Sequence, residues 1–311
     1  MPSIVTLTLN PAVDKNTRVD QVVAEDKLRC EAPSREPGGG GLNVSRVIGR
    51  LGGQSTAFYT SGGLTGRILQ DLLDAEALDH TPLPVDEWTR ENLIVYETST
   101  DRQFRFGMPG PTLTDGEIDA CLNTLRGLDP APEYLVASGS LPPGAPDDTY
   151  AAVAEAAHAL GAKPILDTSG AALRAAMDAD WYLLKPNLRE LQQLAGDDLA
   201  TEAERIDAAR AFIDRGWCRG VVLSMGASGA LLVTADRAAH VRSPTVPIAS
   251  RVGAGDSMVG GLTVALARGQ DLPDAVRFGV AAGAAAVMTP GTELCHQDDT
   301  ERLFEQLRTE A

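Results

Sequence analysis

Gly253, Ala254, Gly255 and Asp256 form the stretch best equipped for chemistry. The three small residues leave their backbone unshielded, and the small apolar run 258–266 that follows reads as a helix. Such a turn aims free N–H groups and the positive end of a helix dipole at whatever lies above it, which suits a phosphate. A carboxylate beside bound phosphate is repelled by it, so Asp256 has a purpose there as the acceptor of a proton released next to the phosphate. Taken alone, the tetrapeptide fits a helix-capping aspartate about equally well.

Further polar residues fall at the ends of strand-like segments. Asp14 comes after residues 4–9, Ser138-Gly139-Ser140 after 134–137, and Asp167 after 164–166. Lys185-Pro-Asn187-Leu-Arg189-Glu190 follows 181–184, and Ser224-Met-Gly226 follows 221–223. One such residue is commonly only a turn or cap, but five in succession mark the carboxyl edge of a parallel sheet, where ligands bind. Asn187 and Glu190 lie three apart at a helix start, so they suit either a cap or oxygen ligands for Mg2+ and its waters. The four glycines 38–41 cost more chain entropy than a turn requires and read as backbone closely approached by a ligand. Lys27, Arg29 and Arg90 sit in a polar β region and could grip a phosphate.

Strands and helices alternate from residue 114 onward, with helices expected at 114–126, 148–160, 171–178, 188–195 and 201–215. That order implies an α/β fold: a mainly parallel sheet with helices on both faces. Residues 16–36, short-stranded around Lys27, and 88–110, a hairpin about Ser99-Thr100-Asp101, would form a small separate β layer. A further strand is expected at 240–246. No linker or repeat interrupts the chain, so 1–311 is expected to be one domain.

With a formal charge of −16 and a pI near 4.6, the chain is a poor partner for nucleic acid or anionic membrane. A phosphate must therefore be met by local cations and N–H groups. No run of about eighteen apolar residues is present. Met1-Pro2-Ser3 leads directly into a strand without a basic leader, so no signal peptide is expected. Cys30, Cys121, Cys218 and Cys295 are scattered, as free thiols of a reducing cytoplasm would be. Neither glycine region matches GxxxxGK[ST] or a GxGxxG after the first strand, which counts against a P-loop NTPase and a dehydrogenase. His80, His158, His240 and His296 lack metal spacing, and no GxSxG elbow exists.

These residues resemble the PfkB (ribokinase-like) family of carbohydrate kinases almost from end to end. Pro37-Gly-Gly-Gly-Gly-Leu-Asn43-Val-Ser-Arg46 is similar to the family's first signature, and Val252-Gly-Ala-Gly-Asp256-Ser-Met-Val-Gly260 to its second. Within the family, 25–30, 88–90, 103–110, 138–144 and 276–283 are most similar to the minor bacterial 6-phosphofructokinase type. Thr8-Leu-Asn-Pro-Ala-Val-Asp14 is also similar to 1-phosphofructokinases and tagatose-6-phosphate kinases, which generally carry a lysine where Gly40 stands.

The resemblance implies ATP-dependent phosphorylation of fructose 6-phosphate at C1 to give fructose 1,6-bisphosphate. A 1-phosphofructokinase or tagatose-6-phosphate kinase is the alternative, and a non-catalytic sugar-phosphate sensor is the reading from another class. By the resemblance, Asp256 is the base and Gly253, Ala254 and Gly255 the anion hole. Asp14, Gly38, Gly39, Asn43 and Ser140 hold the sugar. Arg90 and Arg29 hold its 6-phosphate, with Lys27 reaching in from a partner subunit. Lys185, Asn187, Arg189, Ser224, Gly226, Gly229 and Gly283 face the nucleotide, and Asn187 and Glu190 hold Mg2+ through water. A K+ site is implied around Ser250, Val252, Ala286, Thr289, Gly291 and Glu293. The β layer becomes a lid, and two lids clasp in a homodimer. Four positions depart from the family pattern: Arg251 replaces a small hydroxyl residue, Arg189 replaces a lysine, and Thr289 and Glu293 differ from the nearest relatives.

Overall fold

The computed structural model describes residues 3–309. The Met1-Pro2 start and the last two residues of the expected 1–311 domain lie outside the described residues. The chain begins β1 (Ile4–Thr8), β2 (Ala12–Val19), β3 (Ser34–Gly38), α1 (Gly40–Arg50), β4 (Thr56–Ser61), α2 (Gly63–Ala75) and β5 (His80–Pro84). Next come β6 (Arg90–Glu97), β7 (Arg102–Phe106), α3 (Asp115–Arg126), β8 (Tyr134–Ser138), α4 (Thr149–Ala159), β9 (Lys163–Asp167) and α5 (Gly170–Ala175). It continues with β10 (Leu183–Leu184), α6 (Leu188–Ala195), α7 (Glu202–Asp214), β11 (Gly220–Ser224), β12 (Ala230–Thr234) and β13 (Ala238–Val241). Helices α8 (Ala254–Ala267), α9 (Leu272–Val287) and α10 (Gln297–Thr309) complete it.

Among the described residues these strands make two sheets. The large one has nine strands in the order β13-β12-β11-β10-β9-β8-β1-β4-β5. It is parallel from β11 to β5 and antiparallel only at β12 and β13. Alternation along β8 shows why both faces are covered. Leu135 and Ala137 point into a core closed by α3, α4 and α7, whereas Tyr134 and Val136 point into one closed by α1, α8, α9 and α10. In-register parallel pairing, such as Ser138 beside Asp167, brings the strand-end polar residues to one edge. Helix α8 can lie close to its neighbours because Gly260 faces Val47 of α1 and Gly261 faces Ala282 of α9, where a Cβ would come within 2.5 and 2.7 Å.

The small sheet runs β3-β2-β6-β7, with β2 and β6 parallel and both outer pairs antiparallel. Val13 anchors it to the main body in a cluster with Leu42, Ala57, Tyr59, Leu69 and Leu73.

Several boundaries differ from expectation. The small sheet starts at Ala12 and its β3 ends at Gly38, outside 16–36, because pairing between Ala12 and Gly38 sets the strand ends. Residues 20–33, with Lys27, form no strand. The strand expected at 240–246 stops at Val241, and the following Ser243-Pro244 carries a proline that cannot donate to a ladder. Helix 171–178 divides into α5 and a short 3-10 turn, Met177–Ala179. Strand β5 was not expected. Its Pro82 and Pro84 argue against a strand, yet it sits at a sheet edge, where a missing N–H costs little.

Candidate active site

Gly253 caps α8 with φ 75°, a left-handed conformation that a side chain would strain, and so turns the chain into the helix with its first amides free. Asp256 lies in the first turn. Asn43 of α1 donates from Nδ2 to Asp256 Oδ2 at 2.8 Å. Burial raises the Asp256 carboxyl from 3.8 to about 6, and Asp167 adds to this; Asn43, Lys185 and Arg105 oppose it. A carboxyl titrating there is ionised at neutral pH yet basic enough to take a proton. Lys185 sits beside it, paired with Asp167 at 3.0 Å. Burial pulls the Lys185 ammonium down, but Asp167, Glu190 and Asp256 together hold it above its ordinary value.

A second cluster forms where the small sheet meets β1. Burial pushes Asp14 up, countered by the Asn92 amide at 2.8 Å and by the charges of Arg105 and Arg90. Gly38 is packed on Asp14: a Cβ there would lie 2.6 Å from the carboxylate. Gly39 caps α1 directly after it. Arg90 donates to the carbonyls of Asn10 at 2.8 Å, Met108 at 3.0 Å and Pro11 at 3.3 Å, which pins its guanidinium next to Asp14. Ser140 is exposed and accepts from Asn10 Nδ2 at 3.2 Å. Asn10 Oδ1 is buried without a hydrogen-bond partner.

A cleft of about 490 Å3 opens on the other side of the glycine turn, a size in the range of small-molecule sites. Ser224, Gly226, Gly229 and Gly283 line it together with Ala254 and Gly255. Exposed Ile248 and Arg251 form part of its wall. Lys185, Asn187 and Arg189 are not among its lining residues. Asn187 and Glu190 form a reciprocal capping box on α6: Glu190 N donates to Asn187 Oδ1 at 2.9 Å and Asn187 N to Glu190 Oε2 at 2.8 Å. Burial raises the Glu190 carboxyl, against the Asn187 amide and Lys185.

Beyond α9, Thr289 Oγ1 donates to the carbonyls of Ala286 at 2.8 Å and Glu293 at 2.6 Å, and Ser250 Oγ donates to that of Gly291 at 2.6 Å. Val252 N donates to Ser250 Oγ at 3.2 Å. The residues expected around a monovalent cation thus fall into two hydrogen-bonded groups, one about Thr289 and one about Ser250.

Three expected residues stand apart. Lys27, Arg29 and Arg189 are exposed, and their side chains make no hydrogen bond or ion pair among the described residues. Conversely, Asp167 and Arg105 act electrostatically on Asp256 without having been singled out as site residues. Asp167 carried a signal, its position at a strand end. Arg105 carried only its place in the stretch 103–110, because a basic residue in an alternating hairpin is by itself usually just a solvated face.

The fold is the ribokinase-like α/β fold, a mostly parallel sheet covered by helices with a small separate sheet. The sequence profile described as pfkB family carbohydrate kinase matches residues 6–299. The chain belongs to that family. It is 46% identical over 304 residues to the ATP-dependent 6-phosphofructokinase isozyme 2 of Mycobacterium tuberculosis, covering 98% of this chain and 89% of the relative. Among solved structures it is similar to phosphofructokinase-2 from Escherichia coli in complex with potassium, at 41% identity and TM-score 0.95 over 99% of this chain and 100% of the other. It is also similar to the same enzyme in complex with fructose-6-phosphate, at 40% identity and TM-score 0.93, with 99% and 100% covered.

Proposed function

We infer that this protein is an ATP-dependent 6-phosphofructokinase: it transfers the γ-phosphoryl group of ATP to the C1 hydroxyl of fructose 6-phosphate, giving fructose 1,6-bisphosphate. The observation that carries this is Asp256, raised to about 6, standing at a glycine turn whose other side faces a nucleotide-sized cleft. As the hydroxyl oxygen attacks phosphorus, its proton passes to Asp256. The amides of Gly253, Ala254 and Gly255 stabilise the charge on the transferring group. Asp14, Gly38, Gly39, Asn43 and Ser140 hold the sugar, and Arg90 its 6-phosphate. Arg29 and the partner subunit's Lys27 complete that phosphate site. Ser224, Gly226, Gly229 and Gly283 receive the nucleotide, with Lys185, Asn187 and Arg189 toward its phosphates.

Among the described residues no group of three or more His, Cys, Asp or Glu side chains could hold a metal ion. Mg2+ would ride on the nucleotide phosphates, with Asn187 and the half-buried Glu190 reaching it through water. When bound, it neutralises and orients those phosphates. The oxygen-rich set around Thr289 and Ser250 fits a K+ ion, as does the likeness to a potassium-bound enzyme.

The kinase unit spans the whole chain, 1–311, with the small sheet as its lid. The free thiols of Cys30, Cys121, Cys218 and Cys295 suit a cytoplasmic location. Among the described residues no helix is long and apolar enough to cross a membrane. A coupled ADP-release assay over fructose 6-phosphate, tagatose 6-phosphate and fructose 1-phosphate tests the substrate. The expected result is the highest kcat/KM with fructose 6-phosphate; ADP release with it no faster than the no-sugar blank would sink that assignment.

A further inference from the structure

The side-chain amide of Asn43 has two sides, and each is engaged. Nδ2 donates to Asp256 Oδ2 at 2.8 Å, while Oδ1 accepts from Arg46 Nη1 at 3.2 Å. A guanidinium offers donors only and keeps its charge at every working pH. The amide oxygen must therefore face Arg46, and the amide N–H must face Asp256. Arg46 is itself held rigidly. Its side chain is 3% exposed, and Nε and Nη2 clasp the Glu76 carboxylate at 2.7–3.0 Å. Nη1 also donates to the Pro37 carbonyl at 3.1 Å, immediately before the glycines that carry the sugar side of the site.

We propose that Arg46, anchored by Glu76 just after α2, is a positioning residue for the proton acceptor: it locks the Asn43 amide so that its N–H2 occupies Asp256 Oδ2 and leaves Oδ1 to the incoming hydroxyl. The consequence for turnover rests on the kinase reading above; the consequence for the charge on Asp256 does not. The other groups facing Asp256 are Asp167 at the end of β9, Lys185 after β10 and Arg105 on β7. None of them contacts Asn43 Oδ1, which among the described residues is met by Arg46 alone.

An arginine that merely staples α1 to α2 would cost the same stability whether Asp256 is charged or neutral. A positioning arginine would not. Arg46→Lys keeps a cation for Glu76, but a single ammonium cannot also meet Pro37 and Asn43. Urea unfolding of Arg46→Lys at pH 5 and pH 8, in the wild-type and Asp256→Asn backgrounds, separates the two roles. The expected result is an unfolding constant that worsens on the order of tenfold more at pH 8 than at pH 5, equivalent to one pH unit on the carboxyl, and no such pH dependence with Asp256→Asn. Equal costs at both pH values, or the same pH dependence in both backgrounds, would overturn the proposal. Asn43→Ala removes the amide outright and is expected to show the same pH-dependent cost; Glu76→Gln, which loosens Arg46 without altering Asn43 or Asp256, is expected to show it too, and its absence there overturns the proposal even where Arg46→Lys fails to fold. In turnover, Arg46→Lys and Asn43→Ala are each expected to move the acid limb of kcat/KM up by about one pH unit, with no further movement in the double variant. If the wild-type protein phosphorylates no sugar, the kinase reading falls while the unfolding comparison still decides the role of Arg46.

Discussion

Asp256 is destabilising where it is useful. Its carboxyl is raised from 3.8 to about 6, so the linked stability is fully present below about pH 3.8 and is lost as pH rises through about 6. At pH 8 the ionised group costs up to about 3 kcal/mol. Asp256→Asn is therefore expected to resist urea better than wild type at pH 8 while ADP release falls by about a hundredfold or more. Near wild-type turnover in that variant would remove Asp256 from the role of proton acceptor. The same shift sets the pH profile: kcat/KM should fall about tenfold per pH unit below about 6, because the protonated carboxyl cannot accept. Asp256 itself was readable from its neighbours in the chain. Its shift was not, since that depends on burial and on Asp167, Lys185 and Arg105, which lie far away in sequence.

At the level of elements, glycines decide what can approach what. Gly38 ends β3 against Asp14, and a Cβ there would lie 2.6 Å from the carboxylate. Gly38→Ala should displace Asp14 and lower kcat/KM for fructose 6-phosphate by about a hundredfold, leaving the acid limb near pH 6 unchanged. A wild-type kcat/KM would show that Asp14 does not hold the sugar. The run 38–41 had already read as backbone under close approach; which group it approaches was legible only once β2 and β3 paired. Asn187 and Glu190 illustrate the opposite case. Either reading of their spacing was open, a cap or Mg2+ ligands, and the observed capping box on α6 satisfies the first without excluding the second, because Glu190 remains beside Lys185 and Asp167.

For the whole molecule, the small sheet leaves both apolar and cationic side chains uncovered. Val23, Leu28, Phe106 and Met108, all in its strands or connections, are exposed large apolar residues. Lys27 and Arg29 lie in the same region with no partner of their own among the described residues. A homodimer built on this layer would cover the apolar residues and lend each Lys27 to the neighbouring site. The check is a hybrid. Lys27→Ala and Asp256→Asn proteins, each nearly inactive, are expected to recover about a quarter of wild-type activity when unfolded and refolded together in equal amounts, since half the chains pair as hybrids with one intact site. No recovery in a mixture shown by gel filtration to be dimeric would place Lys27 on its own subunit's site.

Local chemistry was legible along the chain: the alternation of strands and helices, the strand-end polar residues, and the glycine turn opening a helix before Asp256. These features depend on neighbours within a few residues, and backbone geometry and helix dipoles act over that range. The edge strand with two prolines, the ends of the small sheet, the Asp167–Lys185 pair and the Arg46–Asn43 contact to Asp256 were not legible. Each joins residues brought together only by packing, and burial and charge act through space, whatever the order of the residues in the chain.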